Sequence, residues 1–294
     1  MSPLHVALAT AVAALWGLAF VATKIGLDSF SPSQLTVLRF VIAAVPAIWL
    51  PRPPISWRLL VAIGLTLFTG QFLLQFFAIA NGMPPGLASV VVQIQAFFTV
   101  CVAAVVLTDR PTWRQMAGMG VALTGLGLIG LTLGHGLTAI GLGLAIASAA
   151  SWSVGNVLVK RLPRMEMLRL MVWLSVIPPL PSLVLSIALD GPLALPRAVA
   201  QASWLGLGAA LYLGVFATVI AYALWGYLLH RHSTAAVAPF ALLAPVVGAL
   251  SSVWMFGEEF SALRIAGAAC MLFGLAIIVL PLGRTDRRGR RSPR

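Results

Sequence analysis

The chain has 294 residues, of which 60% are hydrophobic and only 9% are charged. A water-soluble domain usually carries about 25% charged residues, and a disordered chain needs low hydrophobicity, so both classes are excluded. The two cysteines exclude a disulfide framework and a cysteine-based zinc module. The composition therefore predicts an all-α membrane protein.

Long apolar runs divide the chain into ten predicted membrane-spanning helices. A helix needs about 20 mostly apolar residues to cross a bilayer. The runs cover residues 5–26, 33–51, 57–81, 84–107, 113–133, 137–159, 168–189, 203–229, 234–256 and 262–282. Pro, Gly and charged residues separate them, because these residues break helices or avoid hydrocarbon. The first run is predicted to be an uncleaved helix and not a signal peptide.

Lys and Arg are distributed unevenly over the predicted loops. If the N-terminus is cytoplasmic, fifteen of these residues lie inside and three lie outside, and the positive-inside rule then predicts that both termini are cytoplasmic. The last twelve residues, 283–294, form a basic tail with a net charge of +5. Beside a membrane, such a tail is expected to meet anionic lipid headgroups, so we do not predict nucleic-acid binding.

Two patterns in the first half of the chain recur in the second half. A Trp–Lys pair recurs at an offset of 136, as Trp16 with Lys24 and Trp152 with Lys160. An acid followed by two glycines recurs at an offset of 149, as Asp109, Gly118 and Gly125 and as Glu258, Gly267 and Gly274. The second half therefore holds about thirteen extra residues, which we expect near Asp190.

The recurrence predicts two five-helix repeats, residues 5–133 and 137–282, followed by the basic cytoplasmic tail 283–294. Five is an odd number, so the second repeat must enter the membrane from the opposite side, as an inverted repeat. That architecture is typical of secondary transporters, whose substrate site lies near the membrane midplane between the repeats.

Acidic and histidine side chains avoid the predicted membrane interior. All seven acids and all four histidines lie at span ends, in loops or in the tail. An intramembrane hydrolase needs such groups at depth, and a cation-coupled exporter usually carries a buried carboxylate. We therefore expect no catalytic residue, metal site or cofactor, and no coupling through a membrane carboxylate.

Polar and aromatic side chains inside the predicted spans are the candidate substrate-binding residues. They are Trp16, Arg39, Gln71, Gln75, Gln93, Gln95, Trp152, Asn156, Tyr222 and Trp225. Gln71 and Gln75 share one helix face, whereas Gln93 and Gln95 lie about 200° apart, so at most one of these two should face a cavity well. The amides could instead bond to neighbouring helices, and the aromatics could simply pack. Arg39 could reach the membrane surface or attract a substrate carboxylate.

Short motifs are spread along nearly the whole chain. They are Leu15-Trp16-Gly17 with Lys24, Leu38-Arg39-Phe40, Gly86-Leu87-Ala88-Ser89, Gln95-Ala96-Phe97, Ser151-Trp152-Ser153 with Asn156, Pro245-Val246-Val247 and Gly257-Glu258-Glu259. Together these motifs resemble the EamA family of the drug/metabolite transporter superfamily. The segments 81–89, 93–99 and 238–248 resemble the O-acetylserine/cysteine exporter branch. Ala96 departs from the proline that is frequent in the family at this position, while Pro245 retains it in the second half.

The resemblance implies a bacterial inner-membrane, multi-pass exporter of small amino-acid-like metabolites that works by alternating access. Two alternatives stay open at this point. One is a multidrug or nucleotide-sugar carrier of the same superfamily, and the other is a membrane scaffold or receptor that transports nothing. The sequence gives no basis for an oligomeric state.

Overall fold

The computed structural model describes residues 1–163 and 165–280. The predicted basic tail, and the headgroup contact expected of it, lie outside these residues. Within them the chain is helical, with no strand. Many of the helices begin at a Ser or Thr whose hydroxyl accepts a hydrogen bond from a backbone N–H of the first turn, which is a common way to start a helix.

We number the principal helices α1 to α10 in chain order. They are α1 (Pro3–Leu27), α2 (Pro32–Ile48), α3 (Trp57–Ala80), α4 (Pro85–Val106), α5 (Trp113–Gly130), α6 (Ala139–Lys160), α7 (Met167–Asp190), α8 (Trp204–Arg231), α9 (Thr234–Ala241 and Leu243–Phe256) and α10 (Ala262–Val279). A short helix, Ala194–Gln201, links α7 to α8 at the place where the extra residues of the second half were expected.

Eight of these helices are long and apolar enough to cross a membrane. The other two are α2, which is apolar but shorter, and α5, which has 18 residues. Helix α5 is less apolar because Arg114 and Gln115 lie in its first turn and because it is rich in glycine. The all-helical membrane class is thus confirmed, whereas a count of ten spans stays a prediction.

Several helices are interrupted where the sequence predicts continuous runs. In α2, Pro46 cannot donate a backbone hydrogen bond, and the α-helix ends at Ala44. Helix α7 opens between Leu174 and Pro179 at a Pro-Pro pair, and α9 breaks at Leu242, close after a proline inside the helix. The hydropathy of these runs is continuous, so it carries no sign of the breaks.

Helices α3 and α8 share a different irregularity, a wide π-helical segment. These segments are Gly64–Gly70 and Tyr212–Ile220. In each one a threonine hydroxyl donates to the carbonyl five residues earlier: Thr69 to Gly64 at 3.2 Å, and Thr218 to Leu213 at 2.8 Å. The two threonines are 149 residues apart, the offset of the second sequence pattern, and π-helical turns are frequent at functional sites.

The helix ends form two faces, which we name for their charges. The basic face holds the ends of α4, α6, α7 and α8 near Lys160, Arg169 and Arg231, and Lys160 pairs there with Asp109 at 2.7 Å. The acidic face holds Asp190, which accepts hydrogen bonds from Ser31 at 2.6 Å and Ser33 at 3.2 Å, and it also holds Glu258.

Glycines bring α5 and α10 into close contact. A Cβ added to Gly118 would lie 2.8 Å from the carbonyl oxygen of Gly274, and one added to Gly125 would lie 2.5 Å from that of Gly267. The contacts are reciprocal, because Gly267 approaches Gly125 and Gly274 approaches Gly118. Small residues let two helices approach closely, so the recurring glycines of the sequence have a packing role here.

Candidate functional site

The structure contains a cavity of about 390 Å³ between the helices, and all ten candidate residues line it. The walls come from α1, α2, α3 and α4 of the first half and from α6, α7, α8 and α9 of the second half. The structure thus brings together candidate side chains that are up to 209 positions apart in the sequence, namely Trp16 and Trp225.

Arg39 lies in the wall of this cavity and does not reach a membrane surface, since only 3% of the residue is exposed. Its Nε and Nη2 atoms donate to the hydroxyl of Thr218, at 3.3 and 3.2 Å. Its guanidinium carbon sits 3.8 Å from the centroid of the Phe72 ring, a cation–π contact. Among the described residues no carboxylate pairs with Arg39. The cavity therefore holds a buried positive charge whose counter-ion the described chain does not supply.

Two glutamines on α3 place an unused acceptor in the same wall. The Gln71 amide donates from Nε2 to Oε1 of Gln75 at 2.8 Å, and both side chains are buried, as their shared helix face predicts. The remaining oxygen, Oε1 of Gln71, is buried and accepts no hydrogen bond from the described chain. A buried polar atom without a partner is costly, so a ligand that donates a hydrogen bond would be favoured here.

Gln93 and Gln95 correct one prediction, because both line the cavity. The estimate of about 200° between them assumes an uninterrupted α-helix. The structure has a 3₁₀ turn at Val92–Ile94 instead, and Nε2 of Gln95 donates to Oε1 of Gln93 at 3.1 Å. Asn156 lies on α6, one turn after Trp152, and lines the same cavity.

Aromatic side chains form another part of the wall. Trp16 stands 5.5 Å from Tyr222 and 5.1 Å from Trp225, measured between ring centroids. Its indole Nε1 donates to the carbonyl of Ala217 at 3.2 Å, which fixes the ring against α8. Trp152 is half-buried and packs against buried hydrophobic side chains that include those of α3 and α7. These rings offer π faces as well as apolar area to a ligand.

Sequence reasoning did not identify Phe72 or Thr218, the two side chains that hold Arg39. Phe68, Phe72 and Phe76 are spaced four apart on α3. Such an aromatic stripe is a sequence signal for cation–π contacts with a buried cation. No comparable signal marks Thr218, because it is 179 positions from Arg39.

Comparison with known proteins identifies the family to which the chain belongs. The EamA-like transporter family matches residues 4–131 and 139–280, which together make up most of the chain. The chain belongs to the EamA-like transporter family. It is 40% identical, over 92% of this chain and 93% of the relative, to a Salmonella typhimurium protein named "Probable amino-acid metabolite efflux pump".

Two further relatives of this EamA-like transporter bear related names. An Escherichia coli protein with the same name is 38% identical over 94% of both chains. A Streptantibioticus cattleyicolor protein named "Probable terminal-alkyne amino-acid exporter" is 29% identical over 90% of this chain and 89% of the relative. A solved crystal structure shares the fold, with a TM-score of 0.63 at 21% identity over 98% of this chain and 99% of that one.

The cavity of this EamA-like transporter is placed unevenly between the two faces. Toward the basic face its lining reaches Val159 and Met167, which lie beside Lys160 and at the start of α7. Toward the acidic face its lining stops at Ser89 and Pro245, where the Ser89 hydroxyl donates to the carbonyl of Pro245 at 3.1 Å. The cavity therefore extends to the basic side and ends at the contact between α4 and α9.

Proposed function

We propose that this EamA-like transporter exports small zwitterionic, amino-acid-like metabolites of the O-acetylserine or cysteine type across the bacterial inner membrane by alternating access. One observation carries the proposal: a cavity with no acidic side chain among its described lining residues holds both Arg39 and the unpartnered Oε1 of Gln71. A positive charge and a free acceptor in one small cavity complement a molecule with a carboxylate and an ammonium group.

The chemistry assigns each end of such a substrate to a part of the wall. The substrate carboxylate would accept hydrogen bonds from Arg39, whose planar guanidinium suits carboxylates. The ammonium would donate to Oε1 of Gln71 and lie over the π faces of Trp16 and Trp225. A lipophilic cation would meet the charge of Arg39 with no carboxylate to balance it, so the multidrug alternative is disfavoured.

Architecture and orientation belong to the same proposal. We take residues 5–133 and 137–282 as two inverted five-helix repeats with ten spans, and the basic face as cytoplasmic. The reciprocal glycine contacts of α5 and α10 and the paired π-helical segments of α3 and α8 support a two-fold relation between the halves. The excess of Lys and Arg at one face supports the orientation.

Efflux from proteoliposomes that contain the purified protein tests the proposal. Vesicles are loaded with radiolabelled O-acetylserine, cysteine or a hydrophobic amino acid, with and without a pH gradient. Matched compounds lack one charge, such as the amide of the carboxyl group or the N-acetyl form of the amine. We expect release of the zwitterions above the rate of protein-free vesicles, and clearly slower release of both matched compounds.

Two results would overturn the proposal. One is release of a lipophilic cation without release of any amino acid, which would favour the multidrug alternative. The other is no release of any loaded solute by folded protein, which would favour a scaffold or receptor.

A further inference from the structure

Glu258 fastens α4 to α9 at the acidic face. Its carboxylate accepts hydrogen bonds from the backbone N–H of Gly86 at 2.7 Å and of Leu87 at 2.9 Å, in the first turn of α4. The hydroxyl of Ser252, on the last turns of α9, donates to the same carboxylate. Free N–H groups and the helix dipole make the first turn of a helix a favourable place for a negative charge.

The close approach of α4 and α9 depends on this arrangement. A Cβ on Gly86 would lie 2.7 Å from the Glu258 carboxylate and 3.1 Å from the backbone of Ala249. One turn deeper, a Cβ on Gly248 would lie 2.6 Å from Ser89. Every residue of the α4 segment Pro85–Val91 is buried. This half of the crossing closes the cavity toward the acidic face.

Asp109 is the counterpart of Glu258 in the sequence repeat, at the offset of 149, yet its contacts differ. It follows α4 at the basic face, where the equivalent contact would join it to the first turn of the α9 segment Thr234–Ala241. The structure instead pairs its carboxylate with Lys160 of α6 at 2.7 Å, and both side chains are more than half exposed. Among the described residues this carboxylate accepts no hydrogen bond from α9.

The half of α4 that lies toward the basic face is correspondingly less buried. In the α4 segment Gln95–Val106 only Ala103 is buried, in contrast to Pro85–Val91. The crossing of α4 and α9 is thus closed at the acidic face and open at the basic face, although the two ends carry the same type of residue at repeat-equivalent positions.

We infer that Glu258 and Asp109 act as alternating latches, that is, as carboxylates that each hold one face closed. Glu258 caps the first turn of α4 when the acidic face is closed, and Asp109 caps the first turn of the helix Thr234–Ala241 when the basic face is closed. The inference rests on the alternating access of the proposed function. In the conformation with the acidic face open, Glu258 leaves Gly86 and Leu87, while Asp109 leaves Lys160 and caps the helix Thr234–Ala241. Lys160 holds Asp109 away from α9 and so favours the present conformation.

Thiol labelling of the full-length protein in sealed vesicles tests the latches. The reporter is Ser89→Cys, at the closed end of the cavity, in a chain with both native cysteines replaced by Ala. A membrane-impermeant thiol reagent is added on the acidic side, and labelling of Leu193→Cys, an exposed position of that face, identifies vesicles of the required orientation. The labelling rate of Cys at position 89 then measures how often the acidic face opens.

The latches predict that substitutions of Asp109 and Lys160 change the labelling rate in opposite directions, although these two residues contact each other. Glu258→Gln should raise the rate about tenfold, because a charged cap is lost. Lys160→Gln should raise it about twofold to fivefold by freeing Asp109. Asp109→Asn should lower it, because the open conformation loses its latch. Glu259→Gln is the matched control, since its carboxylate makes no hydrogen bond in the described structure, and it should leave the rate unchanged.

Three results would overturn the latches. Asp109→Asn and Lys160→Gln could change the rate in the same direction, as for an ordinary ion pair. Glu258→Gln could behave like Glu259→Gln. The rate could also stay constant in all variants. Efflux by wild-type vesicles is measured in parallel, so that constant labelling with intact amino-acid efflux refutes the latches alone. Absence of efflux refutes the proposed substrate and leaves the labelling result interpretable.

Discussion

Replacing Arg39 by Gln should damage transport without damaging the fold. A hydrogen bond from a charged group to a substrate contributes about 1.5–3 kcal/mol, and each 1.4 kcal/mol is about tenfold in affinity. The KM for a zwitterion should therefore rise roughly 10- to 100-fold in the variant. The KM for analogues without a carboxylate should change little in the variant, because these analogues do not bind the guanidinium.

The expected effect on stability follows from the contacts of Arg39. The variant gives up the bonds to Thr218 and the contact with Phe72, the latter contributing about 1–2 kcal/mol. It also removes a buried charge without a counter-ion, whose desolvation costs several kcal/mol. The two changes oppose each other, so the midpoint of thermal unfolding should not fall.

Arg264→Gln supplies the matched control. Arg264 is also buried, but it lies away from the cavity and donates to Thr132 at 3.2 Å, to the carbonyl of Glu259 at 3.0 Å and to that of His135. Its loss leaves several acceptors unpaired, which should lower the unfolding midpoint and the protein level together. The KM of the remaining protein should be normal.

The assay combines proteoliposome efflux over a range of substrate concentrations with thermal unfolding followed by tryptophan fluorescence. If Arg39→Gln lowers the unfolding midpoint as far as Arg264→Gln while KM stays at the wild-type value, Arg39 is a packing residue. That result would remove the main support for a carboxylate-binding cavity.

Three other predictions follow from the structure. Gln71→Leu should raise the KM of amino acids about tenfold but not that of their N-acetyl forms, because only the substrate ammonium donates to Oε1 of Gln71. An equal rise in the KM of both kinds of compound would argue against this contact. Gly125→Val should lower the thermal midpoint sharply because its side chain would meet the backbone of α10, whereas Gly120→Ala, with nothing within 4 Å, should raise it slightly. Burial and the positive charges of His5, the N-terminus and a neighbouring arginine lower the pKa of His232. The free energy of unfolding should therefore fall as the pH drops below about 6.5, and His232→Gln should weaken that dependence in unfolding scans at neutral and mildly acidic pH.

Much of the fold was predictable because lipid imposes strong rules on the sequence. Apolar run length placed α1 to α10 within a few residues, whereas the recurring glycines are typical of close helix packing but did not identify α5 and α10 as partners. The interruptions at Leu242 and Val92–Ile94 were not predicted, since they depend on local backbone choices that hydropathy does not encode.

The site was predictable as a set of residues but not as a geometry. A polar side chain inside an apolar span needs a partner, so Gln71 and Arg39 could be selected from sequence alone. Whether Arg39 turned to the surface or to the cavity depended on Thr218, which only the fold brings near. The cap formed by Glu258 was missed because an acid at a helix end is expected to face water.

The walls of the cavity are divided between the two halves of the chain. Arg39, Gln71 and Trp16 come from the first half, whereas Trp225 comes from the second, as does Thr218, which supports Arg39. One half on its own would hold a guanidinium without its threonine support and would leave the cavity open along one side. Under the proposed architecture of two inverted repeats, one five-helix copy could enclose a solute only by pairing with a second copy inserted in the opposite direction. A single chain that carries both halves lets the two walls differ in chemistry, with Arg39 in one wall and Trp225 in the other.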